Sequence, residues 1–443
     1  MKIKVHFMTL GCSKNDIDTE NMIFLLNKDV YEVEENLYNS DIVVLNTCSF
    51  ILDAKTQSID TIFELVKLKE EGIIKRIIVA GCLGQRYYND LINDIPEIDS
   101  IVGTGDVDKI NDSIKSALDG ERLVFVKNVH SPYPENTKRV DFRTTQYVKI
   151  SEGCNNGCNY CIIPRLRGKM RSRYIEDIVN EVRYLVENGT KEIILIAQNT
   201  TEYGKDLYNR PMLHVLLNEL NNIENLVWIK ILYMYPEGFY KELIHAIKTL
   251  DKVAKYLDIP LQHISDKVLK AMGRKTNQES IIKLLTDLRD NISDIIIRTT
   301  FIVGFYNETE EDFEELYNFI KKYQFDKLGV FCYSLEESTP AYKYGDNISE
   351  ETKIHRKDKI MKLQAEISKK KLEKNINHIF NVIVDEENEN YYVGRSYMDA
   401  PGIDGNVFIS KNVELKVGKY YNIVIKKSDI YDLYGEYYDE FTK

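Results

Sequence analysis

Short apolar runs rich in β-branched residues alternate with helical patterns through most of this chain. The first three runs, KIKVHFMT, DIVVLN and KRIIVA, cover residues 2–9, 41–46 and 75–80. Helical patterns such as the one at 53–68 separate them. This alternation predicts a parallel sheet covered by helices, with ligands bound at the carboxyl ends of the strands. The fold class predicted for the chain is therefore α/β.

The length of the chain and its linker-like segment predict three domains. At 443 residues, the chain exceeds the size at which one hydrophobic core usually stops growing. The segment 128–145 has two prolines and no hydrophobic period, which is typical of a linker. Six further β/α units follow and predict a partial, TIM-like (β/α)6 barrel, and short strands after it predict a small antiparallel β-barrel. The predicted domains are 1–127, 145–372 and 375–443.

Three cysteines directly after the first barrel strand form the motif C-x3-C-x2-C. Cys154, Cys158 and Cys161 lie in SEGCNNGCNYCIIP, where two glycines allow a tight loop. Soft thiolate ligands suit iron or zinc. A structural zinc ion needs a fourth ligand, and no Cys or His lies nearby in the sequence. The motif therefore favours an iron–sulfur cluster in which one iron is open to a small molecule that carries an amine and a carboxylate.

A second set of cysteines follows the strands of the predicted N-terminal sheet. Cys12, Cys48 and Cys82 occur in GC, NTC and AGC contexts at strand ends. Each alone could be a small core residue. Their shared position at one sheet edge favours a second cluster with three thiolates. Cys332, in LGVFCYS, is predicted to be an inert core residue.

Composition bounds the location and the partners of the chain. Seven cysteines are too few for a disulfide scaffold of this length, which favours metal or catalytic roles in a reducing compartment. The N-terminus lacks a signal peptide, and no apolar run is long enough to span a bilayer. A cytoplasmic protein with no membrane segment is expected. The net charge of −11 argues against a protein that coats nucleic acid.

The cysteine loop of the barrel resembles the radical S-adenosylmethionine superfamily. Cys154, Cys158, Tyr160 and Cys161 match its C-x3-C-x-aromatic-C motif. The resemblance implies a 4Fe-4S cluster that binds S-adenosylmethionine, so that a 5′-deoxyadenosyl radical can be released. Two interpretations of Tyr160 remain open, in which its ring either packs on the adenine or covers the core.

Nearly the whole chain resembles the methylthiotransferase family, with its N-terminal domain, radical domain and C-terminal TRAM barrel. The matching stretches are LGCSKND, NTCSFI, SEGCNNGCNYCIIPRLRG, LIAQNTTEYG, IPLQHISDKVLKAMGR, FIVGFYNETEEDF and RSYMDAPGIDG. They fit the branch that modifies an aspartate of small-subunit ribosomal protein twelve (uS12). The chain departs from the usual pattern of that branch at Asn199, at Tyr306-Asn307 and at Ser338.

The resemblance implies β-methylthiolation of the uS12 aspartate. Cys154, Cys158 and Cys161 would hold the cluster that binds S-adenosylmethionine, and Cys12, Cys48 and Cys82 would hold an auxiliary 4Fe-4S cluster. One S-adenosylmethionine would methylate sulfur associated with the auxiliary cluster, and another would supply the radical. The expected partners are uS12 and a low-potential electron donor, whose identity the sequence does not give.

Two other functions stay open from the sequence. The first is a tRNA methylthiotransferase that acts on a modified adenosine. The second is a non-catalytic RNA- or ribosome-binding protein with structural clusters, which an open iron disfavours. Residues 375–443 hold 7 Lys and Arg against 12 Asp and Glu, and this net charge of −5 favours a basic protein substrate over tRNA. Asp399, Asp404 and the acidic end near Asp439 are the predicted contacts.

Other polar residues near the predicted sites have less specific signals. A basic stretch after the cluster loop is expected to be either an electropositive mouth or a solvated rim: Arg165, Arg167, Lys169, Arg171 and Arg173. Gln262 and His263 follow the strand YLDIP, and a structural role is favoured for the histidine. Gly304 in FIVGF, with Glu308 nearby, is predicted to let the cofactor approach the backbone.

Overall fold

The computed structural model describes residues 2–126, 129–131 and 138–439. Positions 128 and 132–137 of the predicted linker, and Lys127 at the end of the predicted first domain, lie outside the described residues. No helix in the described ranges is long and apolar enough to cross a membrane.

The N-terminal part is a parallel six-stranded sheet in the order β2-β1-β3-β4-β5-β6. Its strands are β1 (Ile3–Thr9), β2 (Tyr31–Val33), β3 (Ile42–Thr47), β4 (Arg76–Ala80), β5 (Ser100–Val102) and β6 (Leu123–Phe125). Its helices are α1 (Ser13–Leu25), α2 (Leu52–Glu70), α3 (Gly81–Asp94) and α4 (Ile110–Leu118). Residues of β3 pack alternately into the cores on the two faces of the sheet, which explains why this strand is wholly apolar at its centre.

The central part contains six parallel strands that neighbour one another in chain order, apart from a short antiparallel pair after the first of them. The strands are β7 (Thr145–Lys149), the pair β8 (Ser151–Glu152) and β9 (Arg171–Ser172), then β10 (Glu192–Ile196), β11 (Trp228–Ile231), β12 (Val253–Asp258), β13 (Ile296–Val303) and β14 (Lys327–Cys332). The helices are α5 (Ile163–Arg167), α6 (Ile175–Glu187), α7 (Leu213–Asn221), α8 (Lys241–Thr249), α9 (Asp266–Ala271), α10 (Gln278–Asn291), α11 (Glu310–Tyr323) and α12 (Glu350–Glu373). This is the arrangement that the predicted (β/α)6 barrel requires.

Local sequence signals set several helix ends in the barrel. The Thr309 hydroxyl accepts a hydrogen bond from the Asp312 backbone, and the Asp312 carboxylate accepts one from the Thr309 backbone, so the two form a capping box at the start of α11. Ser349 caps α12 in the same position. Short 3-10 helices lie in connecting segments at Leu37–Asn39, Val107–Lys109, Pro236–Gly238 and Pro340–Tyr344.

The C-terminal part is a closed barrel of five strands in the order β15-β16-β17-β19-β18. The strands are β15 (Ile379–Glu387), β16 (Tyr391–Arg395), β17 (Val407–Ser410), β18 (Tyr420–Ser428) and β19 (Leu433–Tyr437). All pairs are antiparallel except β17 with β19. A fully buried ion pair joins this barrel to the central one, because Glu192 accepts from Arg395 at 2.9 Å and from Lys230 at 2.7 Å.

The same junction corrects the predicted docking role of two acidic residues. Asp399 is buried and accepts a hydrogen bond from Lys327 Nζ at 2.7 Å. Asp404 accepts one from the Tyr256 hydroxyl at 2.7 Å, and its side chain is 4% exposed. Both carboxylates therefore fasten the C-terminal barrel to the central one, and their prediction as contacts for a partner protein is wrong. Asp439 is half-buried, and its role as a contact for a partner protein stays a prediction.

Cys332 is also placed differently from the prediction. It ends β14, which is an edge strand of the central sheet, and it is half-buried. A strand at the edge has a sheet neighbour on one side only, so an apolar sequence alone does not bury it.

Candidate active site

The loops after β1, β3 and β4 bring three cysteines to one edge of the N-terminal sheet. These strands are neighbours, with Leu10 N donating to Asn46 O at 2.8 Å and Thr47 Oγ1 donating to Ala80 O at 2.5 Å. Burial raises the pKa of the Cys82 thiol to about 11, and the Cys12 and Cys48 thiols add to this increase. Cys12 and Cys48 therefore lie close enough to Cys82 to raise its pKa, as the predicted auxiliary triad requires.

Two glycines allow these loops to approach so closely. Gly11 has φ +101°, and a Cβ at this position would lie 2.8 Å from the Cys48 Cβ. Gly81 has φ +87°, and a Cβ would lie 2.1 Å from the Asn46 side-chain oxygen. Another residue at either position would be strained and would push the cysteine loops apart.

The second triad lies in the loop between β8 and α5. The backbone of the loop is tied at both ends, with Cys154 N donating to Gly168 O at 3.1 Å and Cys161 N donating to Cys158 O at 3.1 Å. Burial raises the pKa of the Cys161 thiol to about 12, and Cys158 and Cys154 add to the effect. The structure therefore brings these three thiols together as well.

A polar pocket wall lies beside Cys158. The Tyr235 hydroxyl is 2.7 Å from the Cys158 sulfur, and the guanidinium of Arg274 stacks on the Tyr235 ring at 3.8 Å. Burial raises the pKa of Tyr235 far above its ordinary value, so the phenol stays protonated and can act as a hydrogen-bond donor to the sulfur.

Several buried polar atoms around this wall lack a hydrogen-bond partner within the described part of the chain. They include Nε and Nη1 of Arg274, Oε2 of Glu237, Oγ1 of Thr276 and Nδ2 of Asn156. Buried polar atoms are rarely left without partners in native proteins. Arg274 and Glu237 form an ion pair with each other, with Nη2 and Oε2 3.7 Å apart. Their remaining polar atoms suit the carboxylate and the amine of a bound amino-acid group, which is the end of S-adenosylmethionine that an open iron would bind.

The thiols of the two triads also suit clusters better than single ions. Within residues 2–126, 129–131 and 138–439, no three Cys, His, Asp or Glu side chains close around a position for one metal ion. A cubane spaces its thiolate ligands more widely than one tetrahedral ion does. The soft thiolate donors of the two loops suit iron–sulfur clusters, and the presence of two such clusters stays a prediction.

One cysteine of the N-terminal triad lies at the contact between the N-terminal sheet and the central barrel. Cys82 packs against Leu166 and against Ile162, the neighbour of Cys161. Arg167 Nη2 lies 3.5 Å from the Cys82 sulfur and donates to Asn15 Oδ1 at 2.6 Å. The helix that follows one cysteine loop thus contacts a cysteine of the other.

A buried network of charges holds this contact. Arg167 donates to Asp18 at 2.6 Å and to Glu152 at 3.2 Å, and Lys149 donates to the same two carboxylates at 2.5 and 2.7 Å. Gln198 also donates to Glu152, at 2.6 Å. Burial raises the pKa of Glu152, but Lys149 and Arg167 outweigh burial and hold it well below its usual range. Two cations and two carboxylates therefore balance one another in the interior.

The basic stretch after the cluster loop is divided between the interior and the surface, and its predicted role at the site stays a prediction. Arg167 is buried in the network, and Arg173 forms an ion pair with Glu181 at 2.6 Å. Arg171 is half-buried, while Arg165 and Lys169 are exposed. Arg167 points inward because it ends α5, which packs against α3 of the N-terminal part.

The other predicted site residues are placed as follows. Tyr160 packs edge-on against Phe305, with ring centroids 6.5 Å apart, and its predicted contact with a cofactor is untested. Gly304 has φ +76°, and a Cβ there would lie 2.2 Å from Lys353 Cγ. The aliphatic part of Lys353 therefore explains why a residue without a side chain is needed at this position. Its role in cofactor binding stays a prediction.

Gln262 and His263 follow the carboxyl end of β12. His263 is fully buried and accepts a hydrogen bond from Ser265 N at 3.0 Å through Nδ1. Burial lowers the pKa of His263 to about 3, so the ring is neutral. This placement fits the structural role that the sequence favours for His263. Gln262 adopts φ +73°, and its Oε1 is buried without a partner among the described residues.

Sequence reasoning missed the residues that surround the triads. Asp18, Lys149 and Glu152 join the two domains, and Tyr235 and Arg274 line the wall beside Cys158. One signal was available: Lys149 interrupts the apolar strand YVKISEG, and a lysine in a buried strand needs a carboxylate partner.

Comparison with known proteins agrees with these sites. Residues 4–103 match Uncharacterized protein family UPF0004, residues 148–320 match the Radical SAM superfamily, and residues 377–437 match the TRAM domain. Ribosomal protein uS12 methylthiotransferase RimO of Clostridium botulinum is 46% identical over 447 residues, which cover 100% of both chains. The RimO protein of Acetivibrio thermocellus is 43% identical over 454 residues, again 100% of both. The chain belongs to the RimO family.

The RimO family consists of radical S-adenosylmethionine methylthiotransferases, so the chain is an enzyme of that type. Solved structures share its fold at low identity. The radical S-adenosylmethionine methyltransferase TsrM of Kitasatospora setae, with cobalamin and a 4Fe-4S cluster bound, has a TM-score of 0.56 at 11% identity and covers 77% of this chain and 74% of its own. The cobalamin-dependent enzyme OxsB has a TM-score of 0.51 at 15% identity over 82% of this chain and 56% of its own.

Proposed function

We propose that this enzyme replaces a β-hydrogen of an aspartate in ribosomal protein uS12 with a methylthio group. The observation that carries the proposal is the match to RimO proteins along the full length of the chain, at 43–46% identity. Both cysteine triads lie within the matched length, and the tail has the net negative charge that suits a basic ribosomal protein.

Two 4Fe-4S clusters and S-adenosylmethionine are the proposed cofactors. Cys154, Cys158 and Cys161 would hold one cluster, and Cys12, Cys48 and Cys82 would hold the auxiliary one. When bound, the reduced clusters and S-adenosylmethionine would together supply the 5′-deoxyadenosyl radical, the methyl group and the sulfur for methylthiolation. A low-potential electron donor and a cytoplasmic location complete the proposal.

The protein's own residues would bind and orient the reactants. Arg274 has two nitrogens, Nε and Nη1, without a hydrogen-bond partner among the described residues, and these would contact a carboxylate, while Glu237, which pairs with Arg274 Nη2 at 3.7 Å, would contact an amine. The Tyr235 hydroxyl lies 2.7 Å from the Cys158 sulfur, where it would contact a sulfur ligand of the cluster. Arg167 and Lys149 tie Asp18 of α1, the helix after Cys12, to the central barrel, and so would hold the two sites in a fixed relative position.

The test is mass spectrometry of uS12 and of tRNA from cells that lack the gene and from cells complemented with it. We expect the methylthio modification of the uS12 aspartate to disappear with the gene and to return on complementation. Complementation with Cys158→Ala, which removes one thiol of the radical site, should not restore it. Loss of a methylthio group from tRNA with uS12 unchanged would reject the proposal in favour of the tRNA methylthiotransferase.

A further inference from the structure

A surface groove of about 570 Å³ lies between α2 and α3 of the N-terminal sheet. Its floor and walls are largely apolar, formed by Leu52, Ile59, Phe63, Leu83, Tyr87 and Leu91. Leu52 is 60% exposed and Phe63 is 48% exposed, although both side chains are large and apolar. Exposed apolar side chains that line one concave surface are typical of a binding site rather than of an ordinary solvated face.

The groove begins beside the auxiliary triad. α2 starts at Leu52, four residues after Cys48, and Leu83 directly follows Cys82. A segment bound between α2 and α3 would therefore lie next to the loops that carry these two thiols. The groove is separate from the polar wall at Arg274, which belongs to the proposed cofactor site.

Carboxylates dominate the rim of the groove. Asp60, Asp90 and Asp94 are exposed, and none has an ion-pair partner among the residues that the structure describes. Lys55 is the basic residue in the lining, and its ammonium group is already paired with Glu336 at 2.9 Å. Arg86 nearby is paired with the same carboxylate at 2.7 Å. The field at the groove is therefore negative.

The apolar floor and the acidic rim of the groove limit which class of macromolecule can bind there. Nucleic acid is disfavoured, because phosphates need cations and the cations here are already paired. A second copy of this chain, docked groove to groove, would bring the same carboxylates against each other. A polypeptide with apolar anchors and flanking Lys or Arg side chains complements both the floor and the rim.

We propose that the α2–α3 groove docks a basic, apolar-anchored segment of the ribosomal-protein substrate. The inference rests on the proposed function and adds the surface that recognises the substrate. Ribosomal proteins bind RNA phosphates and are rich in Lys and Arg. Apolar side chains of the segment contact Leu52 and Phe63, and its cations contact the rim carboxylates. Docking there holds the segment beside the loops that carry Cys48 and Cys82.

The test compares charge reversal on the rim with an equal charge change elsewhere. The double variant Asp60→Lys, Asp90→Lys is matched by Glu71→Lys, Glu121→Lys, whose exposed side chains lie outside the groove. Binding of labelled uS12 to the reconstituted holoenzymes is measured by fluorescence anisotropy at several salt concentrations. We expect the rim variant to bind uS12 roughly tenfold more weakly at low salt, while the control changes little.

A second variant tests the apolar anchors. Leu52→Ser, Phe63→Ser removes exposed side chains and should raise Kd and KM for uS12 roughly tenfold at all salt concentrations. Cleavage of S-adenosylmethionine without substrate should be unchanged, which shows that the enzyme is folded and loaded.

The failures are distinguishable. If the unmutated holoenzyme does not modify uS12, the proposed function fails. If it modifies uS12 and both groove variants bind uS12 as tightly as the unmutated enzyme, only the groove inference is overturned. Groove variants that leave uS12 affinity unchanged but alter tRNA binding, the oligomeric state or the rate of cluster reduction by an electron-transfer protein would also overturn it, and would identify the other occupant.

Discussion

Replacement of Arg167 by Met should loosen the contact between the N-terminal sheet and the central barrel. Met keeps an unbranched stem but removes the charge that contacts Asp18 at 2.6 Å, Glu152 at 3.2 Å and Asn15 at 2.6 Å. Removal of one partner from a buried ion pair costs about 3–5 kcal/mol. Because Lys149 still contacts both carboxylates, we expect the lower end of this range, about 3 kcal/mol.

Hydrogen–deuterium exchange measures this loss at the contact itself. A loss of about 3 kcal/mol makes exchange through opening of the contact faster by about two orders of magnitude, and the effect should be seen in α1 and α5. Arg165→Met is the matched control, since Arg165 lies on the same helix and is exposed. It should change stability by less than about 0.5 kcal/mol. Equal rates of hydrogen–deuterium exchange in Arg167→Met and Arg165→Met would show that the buried charge network does not stabilise the contact between the domains.

Three further predictions test the sites. Cys48→Ala should still produce 5′-deoxyadenosine, because the other triad is intact, but should form no methylthiolated product. Arg274→Gln should raise KM for S-adenosylmethionine and leave the iron content unchanged, and an unchanged KM would exclude Arg274 from cofactor binding. Burial raises the pKa of Glu192, but Lys230 and Arg395 outweigh it and hold the pKa at about 2. The stabilisation is therefore complete above the ordinary carboxyl pKa of 4.5 and is lost as pH falls through about 2, so acid unfolding of Glu192→Gln apoprotein should depend less steeply on pH over this range.

Patterns with a local cause were predictable from the sequence. The alternation of apolar and helical patterns predicted β1, β3 and β4 with their following cysteines, and Thr309 predicted the start of α11. Three-residue strands such as β5 and β6 carry too short a pattern, and β19 is interrupted by a glycine within a polar, tyrosine-rich segment.

Apart from the signal at Lys149, features that depend on contact between domains were not predictable. Asp399 and Asp404 look like exposed acidic residues in the sequence, but their partners Lys327 and Tyr256 come from strands of another domain. Arg167 looks like one cation in a solvated basic stretch for the same reason. Long-range pairing of charges leaves no periodic signal along the chain.

The iron content of the purified enzyme tests the central claim, that each cysteine triad holds its own cluster. After anaerobic reconstitution, we expect about eight irons per chain, and Mössbauer spectra typical of 4Fe-4S clusters. The variant with Cys12, Cys48 and Cys82 all changed to Ala should retain about four irons and still cleave S-adenosylmethionine. Full iron content in that triple variant, or about four irons in the unmutated enzyme, would contradict the two-cluster account.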